Sequence, residues 1–205
     1  MKIIEQSRAP NPRRVRIFLA EKGITVPFEQ IEIGKKQHRA PEFLKHNPMG
    51  QVPVLILDDG TAISESVAIC RYFEETNPMP PLFGRDARDK AIVEMMNRRM
   101  EHGLLARVAA VFRHTHPSMA ELEVPQIKEW GDANRARVGA ALEMMDGELA
   151  TKPFMAGENY SIADITALVA VDFMRPSRIE RPAHLKNLDR WYGQMSARPS
   201  AKAGM

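Results

Sequence analysis

Several short stretches of this sequence carry the side chains that chemistry needs. Ser64-Glu65-Ser66 stands directly before Val67, Ile69, Cys70 and Phe73, an apolar set with helical spacing. Ser64 reads as the N-cap of that helix. Ser66 then lies in the first turn, where free backbone N–H groups and the helix dipole favour an anion. Glu65 has an ordinary reading too, as a first-turn acid. Asn11-Pro12 precedes Val15, Phe18 and Leu19 on one helical face, so Asn11 is either a helix cap or a ligand contact. Phe112-Arg-His114-Thr-His116-Pro-Ser118 places imidazoles and a hydroxyl at the polar end of a helix. A neutral histidine there can hold a water near pH 7, and a histidine at a helix C-terminus is also favourable with no chemistry at all. His38 in Lys-Lys-Gln-His-Arg reads as a solvated loop residue unless a ligand claims it. The Ser161/Asp164 pair suggests catalysis, but Tyr160-Ser-Ile-Ala-Asp-Ile165 reads better as a capping box with a hydrophobic staple, worth roughly 1 kcal/mol.

The elements that must position these residues fall into two parts. Over residues 1–78 the pattern changes quickly: a short strand at Lys2 to Glu5, a helix stopped by Gly23, a strand at Val26 to Ile33, and a short helix opened by Pro41. Val54 to Leu57 and the return strand at Ala62 flank Asp58-Asp59-Gly60, a hairpin turn, and the Ser64 helix follows. Residues 79–87, with Pro80, Pro81 and Gly84, read as a stiff linker. Residues 88–205 are helical in period. Ile92, Met96, Met100, Leu104, Val108 and Val111 form one stripe, and Ile127, Trp130, Asn134, Val138, Ala141, Met145 and Leu149 another.

Composition narrows the function. The 205 residues carry a net charge of only +3, and the basic residues are interrupted by acids, so no nucleic-acid stripe is expected. The densest basic group, Arg13, Arg14 and Arg16, reads as the solvated side of a helix. A single cysteine, Cys70, fits a reducing compartment and sits on a core-facing helix, so it reads as buried and inert. No apolar run approaches a membrane span, and Met1 to Ser7 is too short and polar for a signal segment, so a cytoplasmic protein is expected.

The block Asn47-Pro-Met-Gly-Gln51-Val52-Pro53-Val-Leu-Ile, followed by Ser64-Glu65-Ser66, resembles the glutathione-binding core of the glutathione transferase family. Arg14-Val-Arg-Ile-Phe-Leu-Ala-Glu-Lys-Gly23 and the capping box at Ser161 extend the resemblance over nearly the whole chain. It implies an α/β plus all-α fold: a thioredoxin-like glutathione-binding domain, then an all-helical domain. It also implies a homodimer that activates the glutathione thiol for attack on a hydrophobic electrophile, with glutathione as co-substrate and no metal. The second substrate would be lined by the helical domain. Glutathione-dependent disulfide or peroxide reduction, and non-catalytic ligand binding, are the alternatives.

The resemblance assigns roles residue by residue. Pro53 is cis and frees the Val52 backbone to pair with the ligand like a short strand. Ser66 takes the γ-glutamyl carboxylate, Glu65 faces the ligand ammonium, and His38 with Gln51 faces the glycyl carboxylate. In the loop before the first helix, where theta- and zeta-like members hold an activating serine, this chain has Ala9 and Pro10. Candidates for the thiolate are then Ser7, two residues early, and Asn11, which has a counterpart in nu-like members. The helix N-terminus itself can lower a thiol pKa from about 8.5 by a unit or more. Fungal and bacterial members that lack the hydroxyl suggest His114 first, then His116 and Ser118, as holders of a water near the sulfur.

Overall fold

Ile3 and Ile4 alternate to opposite faces of the first strand, and both are buried. A sheet covered on both sides follows from that pair. The computed structural model describes residues 1–205. Its first part runs β1 (Lys2–Glu5), α1 (Pro10–Lys22), β2 (Phe28–Gln30), α2 (Pro41–Leu44), β3 (Val54–Ile56), β4 (Ala62–Ser64) and α3 (Ser66–Thr76). The strand order is β2-β1-β3-β4. β1 and β2 are parallel, joined across α1, while β3 is antiparallel to both β1 and β4. On one face α1 packs with α3, burying Ile3, Phe18, Ile69, Cys70 and Phe73. On the other, Ile4, Val54 and Phe43 of α2 make a smaller cluster. This is a thioredoxin-like fold, in the element order the sequence predicts.

Helix α1 starts earlier than expected. Its cap position is Ala9, with no side-chain cap bond, and Pro10 is the first helical residue. The predicted cap, Asn11, lies instead inside the first turn with its side chain exposed. Prolines fit there because first-turn N–H groups have no intrahelical partner to lose. The stop at Gly23 is as predicted: φ is 65°, and its N–H reaches the carbonyls of Ala20 and Leu19. Strand β2 is shorter than the predicted Val26 to Ile33, because the Ile33 N–H is taken by Gln6 Oε1 at 2.7 Å and the chain turns into a 3-10 segment, Ile33–Lys35.

The second part contains α4 (Ala87–Met100), a π-helical segment (Glu101–Leu105), α5 (Ala106–Thr115), α6 (Lys128–Leu149), α7 (Ile162–Met174) and α8 (Lys186–Ser196). Met96, Met100, Leu104 and Val108 repeat every fourth residue and are all buried. On an α-helix that spacing drifts by about 40° a step, and the wider π turn brings the stripe back toward one face. In the other stripe Asn134, Val138, Ala141, Met145 and Leu149 are buried as expected, but Ile127 and Trp130 are exposed. Ile127 is only the cap of α6, and Trp130 is in its first turn.

The capping box at Ser161 and Asp164 is formed. It is also larger than its sequence signature. Asp164 Oδ1 accepts from Met155 N at 2.8 Å and Trp191 Nε1 at 3.0 Å, while Oδ2 accepts from the N–H and the hydroxyl of Ser161, both at 3.1 Å. Burial pushes this carboxyl up to about 6 against those four donors.

The chain divides into compact units Met1–Pro81 with Pro199–Met205, and Leu82–Arg198. The first division falls within the expected linker, 79–87, while the second has no counterpart in the expectation, which runs the helical domain to residue 205. Leu82 and Phe83, placed in the linker by their neighbouring prolines, are buried in the helical unit, and the Leu82 carbonyl accepts from Ile162 N at 2.9 Å. The last seven residues return to the first unit, where Arg13 Nη2 donates to the Ala201 carbonyl at 2.9 Å and the Ser200 hydroxyl donates to Glu21.

Candidate functional site

Several of the predicted site residues flank the ends of β3 and β4 in the chain: Gln51, Val52 and Pro53 precede β3, and Glu65 and Ser66 follow β4. Val54 pairs with Ser64 and with Ile4. The β3–β4 ladder ends at that Val54–Ser64 pair, so Pro53 enters it and Glu65 leaves it at the same end of the sheet, where Ser66 begins α3. The Val52–Pro53 bond is cis, as the resemblance implies.

Asn47 builds the turn that leads into this strand. It is buried, its Nδ2 donates to the Gln51 carbonyl at 2.8 Å, and its Oδ1 accepts from Met49 N at 3.1 Å. Gly50 has φ 59°, and a Cβ there would stand 2.8 Å from Arg39 Nη1 and 3.0 Å from the His38 carbonyl. Glycine is therefore favoured by conformation, and a side chain there would displace the Arg39 guanidinium and crowd the His38 carbonyl. That close approach, with Arg39 Nη1 donating to the Met49 carbonyl at 3.2 Å, ties the His38 segment to the turn bearing Gln51. His38 itself is not solvated. It is 7% exposed, its buried Nδ1 has no partner within the chain, and burial, with the Arg39 charge second, holds its pKa below the ordinary value. The neutral form of the ring is therefore favoured at pH 7.

Helix α3 begins differently from the sequence expectation. Ser64 remains in β4, paired with Val54, and is not the cap. The cap position belongs to Glu65, with no side-chain cap bond and φ 68°, ψ 114°. The chain passes from strand to helix within that single residue, which needs a left-handed φ that glutamate disfavours. Glu65 is exposed, and Ser66, the first helical residue, is buried.

Behind Ser66 lies the residue that sequence reasoning missed. Arg14, expected on a solvated face, is 0% exposed, and its Nη1 donates to Ser66 Oγ at 3.0 Å. Arg13 is buried as well. The signal was present: Arg14 stands three and four residues before Ile17 and Phe18, both buried, so it shares their face.

In the loop ahead of α1, the Ser7 N–H donates to Gln30 Oε1 at 3.1 Å. Gln30 Nε2 and Arg16 both donate to Oε1 of the buried Glu5. A network of buried and half-buried groups thus fixes the loop that carries Ser7. Of the first-turn residues Pro10, Asn11 and Pro12, only Asn11 has a backbone N–H.

In the helical unit, His114 Nδ1 accepts from Ile127 N at 3.1 Å and Nε2 lies 3.7 Å from Glu123 Oε1. His116 stacks on Phe112 at 4.6 Å, and its Nδ1 is 2.7 Å from Ser118 Oγ. These rings brace the segment between α5 and α6. Cys70 is buried, and burial pushes its thiol well up, so it has no thiolate character.

Fold and site together define a thioredoxin-like unit followed by a helical one. Residues 9–76 match the N-terminal domain of glutathione S-transferase and residues 105–199 its C-terminal domain. Glutathione S-transferase 2 of Saccharomyces cerevisiae is 39% identical over 205 residues, covering 98% of this chain and 88% of that protein. The crystal structure of Gtt2 from the same yeast superimposes with a TM-score of 0.96 at 38% identity, covering 100% of both chains. A glutathione S-transferase domain-containing protein of Marinobacter aquaeolei superimposes with a TM-score of 0.95 at 38% identity, covering 98% of this chain and 99% of the other. The chain belongs to the glutathione S-transferase family. No helix in it is long and apolar enough to cross a membrane.

Proposed function

We propose that this chain is a glutathione transferase that ionises the glutathione thiol and adds the sulfur to a hydrophobic electrophile, as a cytoplasmic homodimer. The observation that supports the reading is the cis Val52–Pro53 bond leading into β3 at the end of the β3–β4 ladder where Glu65 opens α3. The Val52 backbone pairs with the cysteinyl residue. Ser66 and the α3 N-terminus take the γ-glutamyl carboxylate, and Glu65 takes the ammonium. His38 and Gln51, held together by the Arg39 bond to the Met49 carbonyl, face the glycyl carboxylate.

For the thiolate we favour Asn11. Prolines on either side strip the first turn of α1 of other donors, so the positive end of that helix is presented through the Asn11 N–H and its exposed side chain. His114 has its Nδ1 engaged by Ile127 and its Nε2 facing Glu123, which suits a structural role better than a water holder. Ser7 shares the loop with Asn11 and is the reserve candidate.

Ultraviolet titration of bound glutathione thiolate tests this. Asn11→Ala is expected to raise the bound thiol pKa by about one unit, equal to about 1.4 kcal/mol. The accompanying loss of turnover should shrink at high pH, where the thiol ionises unaided. His114→Ala should leave the titration in place and loosen the segment ahead of α6. A shift on His114→Ala or Ser7→Ala with none on Asn11→Ala would reverse the assignment.

A further inference from the structure

Ser66 is 5% exposed and Arg14 is 0% exposed, and they meet through the 3.0 Å bond from Arg14 Nη1 to Ser66 Oγ. A guanidinium is a donor only, so the serine oxygen is the acceptor in that bond. The Ser66 hydroxyl hydrogen is thereby turned away from Arg14 and toward whatever lies beyond the start of α3. A buried cation behind a helix N-terminus adds its field to that of the dipole, and both favour an anion there. Without Arg14 the hydroxyl could rotate and offer a lone pair to the same anion, which repels it.

We propose that Arg14 is the positioning residue of the anion site. Its guanidinium fixes the Ser66 hydroxyl as a donor to the γ-glutamyl carboxylate and sets a permanent positive charge behind it. The inference rests on the reading of Ser66 given above, and it adds a residue from α1 that never touches the ligand. It also accounts for a charge being kept in the core between α1 and α3, where an apolar side chain would be less costly to bury.

Calorimetric titration of the full chain with two ligands tests it. One is glutathione; the other is γ-aminobutyryl-cysteinyl-glycine, which is glutathione without the γ-glutamyl α-carboxylate. Arg14→Met is expected to weaken glutathione by about tenfold or more and the truncated ligand by less than about twofold. In a Ser66→Ala background the same change should cost glutathione clearly less than it does in the wild type, because only the charge is then lost, and should cost the truncated ligand less than about twofold. Arg14→Lys keeps the charge on a single-point donor and should fall between, and it answers the question if the methionine variant does not fold. Unchanged affinity, or equal weakening of both ligands, overturns the proposal and leaves Arg14 a residue of the fold. An undiminished loss in the Ser66→Ala background overturns it too, because Arg14 would then act without Ser66. If the unaltered protein binds both ligands alike, the γ-glutamyl carboxylate is not at Ser66, and the underlying reading fails.

Discussion

Asp164→Ala is expected to lower stability by roughly 3–5 kcal/mol, since it strands buried donors at about 1–3 kcal/mol each before relaxation. The donors are Met155 N, Ser161 N, Ser161 Oγ and Trp191 Nε1. In a chain of 205 residues that corresponds to a fall of about 10 °C in Tm. The Michaelis constant for glutathione should hold in the surviving folded fraction. A large loss of activity at full stability would mean that the carboxylate acts in catalysis. The pH dependence adds a second check. Because the folded pKa, about 6, exceeds the ordinary 3.8, the native state binds this proton more tightly than the unfolded chain does. The resulting stabilisation is present at low pH and is lost as pH rises through about 6. Alanine has no proton to bind. The stability gap between wild type and variant, from urea unfolding, should therefore widen by on the order of 1 kcal/mol from about pH 7 to about pH 5. A gap that stays constant would mean that the donors outweigh burial and keep Asp164 ionised.

Asp164 also marks where sequence becomes opaque. The Ser161 end of its network is legible because a capping box is local, with partners three residues apart. The Trp191 bond spans 27 residues and leaves no local trace. The same division runs through the rest of the molecule. The strand and helix order of the first unit is written in short alternating runs and in Gly23. The burial of His38 and Arg14 depends on what packs over them, and the usual surface preference of these side chains pointed the wrong way. Ser64 has the better chemistry for a cap, yet the β3–β4 ladder holds it in the sheet and hands the turn to Glu65 at φ 68°. Local propensity lost there to pairing. The return of Pro199–Met205 to the first unit is anchored by Arg13 and Glu21, residues whose helical spacing says nothing about a distant partner.

Removing the polar groups at the start of α3 should produce the largest change in ligand binding. Glu65→Gln with Ser66→Ala is expected to weaken glutathione by at least about a hundredfold, since charge-assisted hydrogen bonds contribute about 1.5–3 kcal/mol each. Glutamine is the better substitute at Glu65 because it removes the charge without altering the backbone demand at φ 68°. Ser66→Ala carries its own stability cost. It leaves the buried Arg14 Nη1 without its 3.0 Å acceptor, at about 1–3 kcal/mol. Unfolding in urea and calorimetric titration must therefore be read side by side, with affinity measured where each variant is fully folded. The single variants should divide the loss by ligand group. Glu65→Gln should weaken glutathione but not its N-acetylated form, which has no ammonium to lose. Ser66→Ala should weaken both, since both keep the carboxylate. Unchanged glutathione affinity in the folded double variant would remove the γ-glutamyl site from α3. The cis-Pro53 strand end would then hold the ligand by backbone pairing and the glycyl end alone.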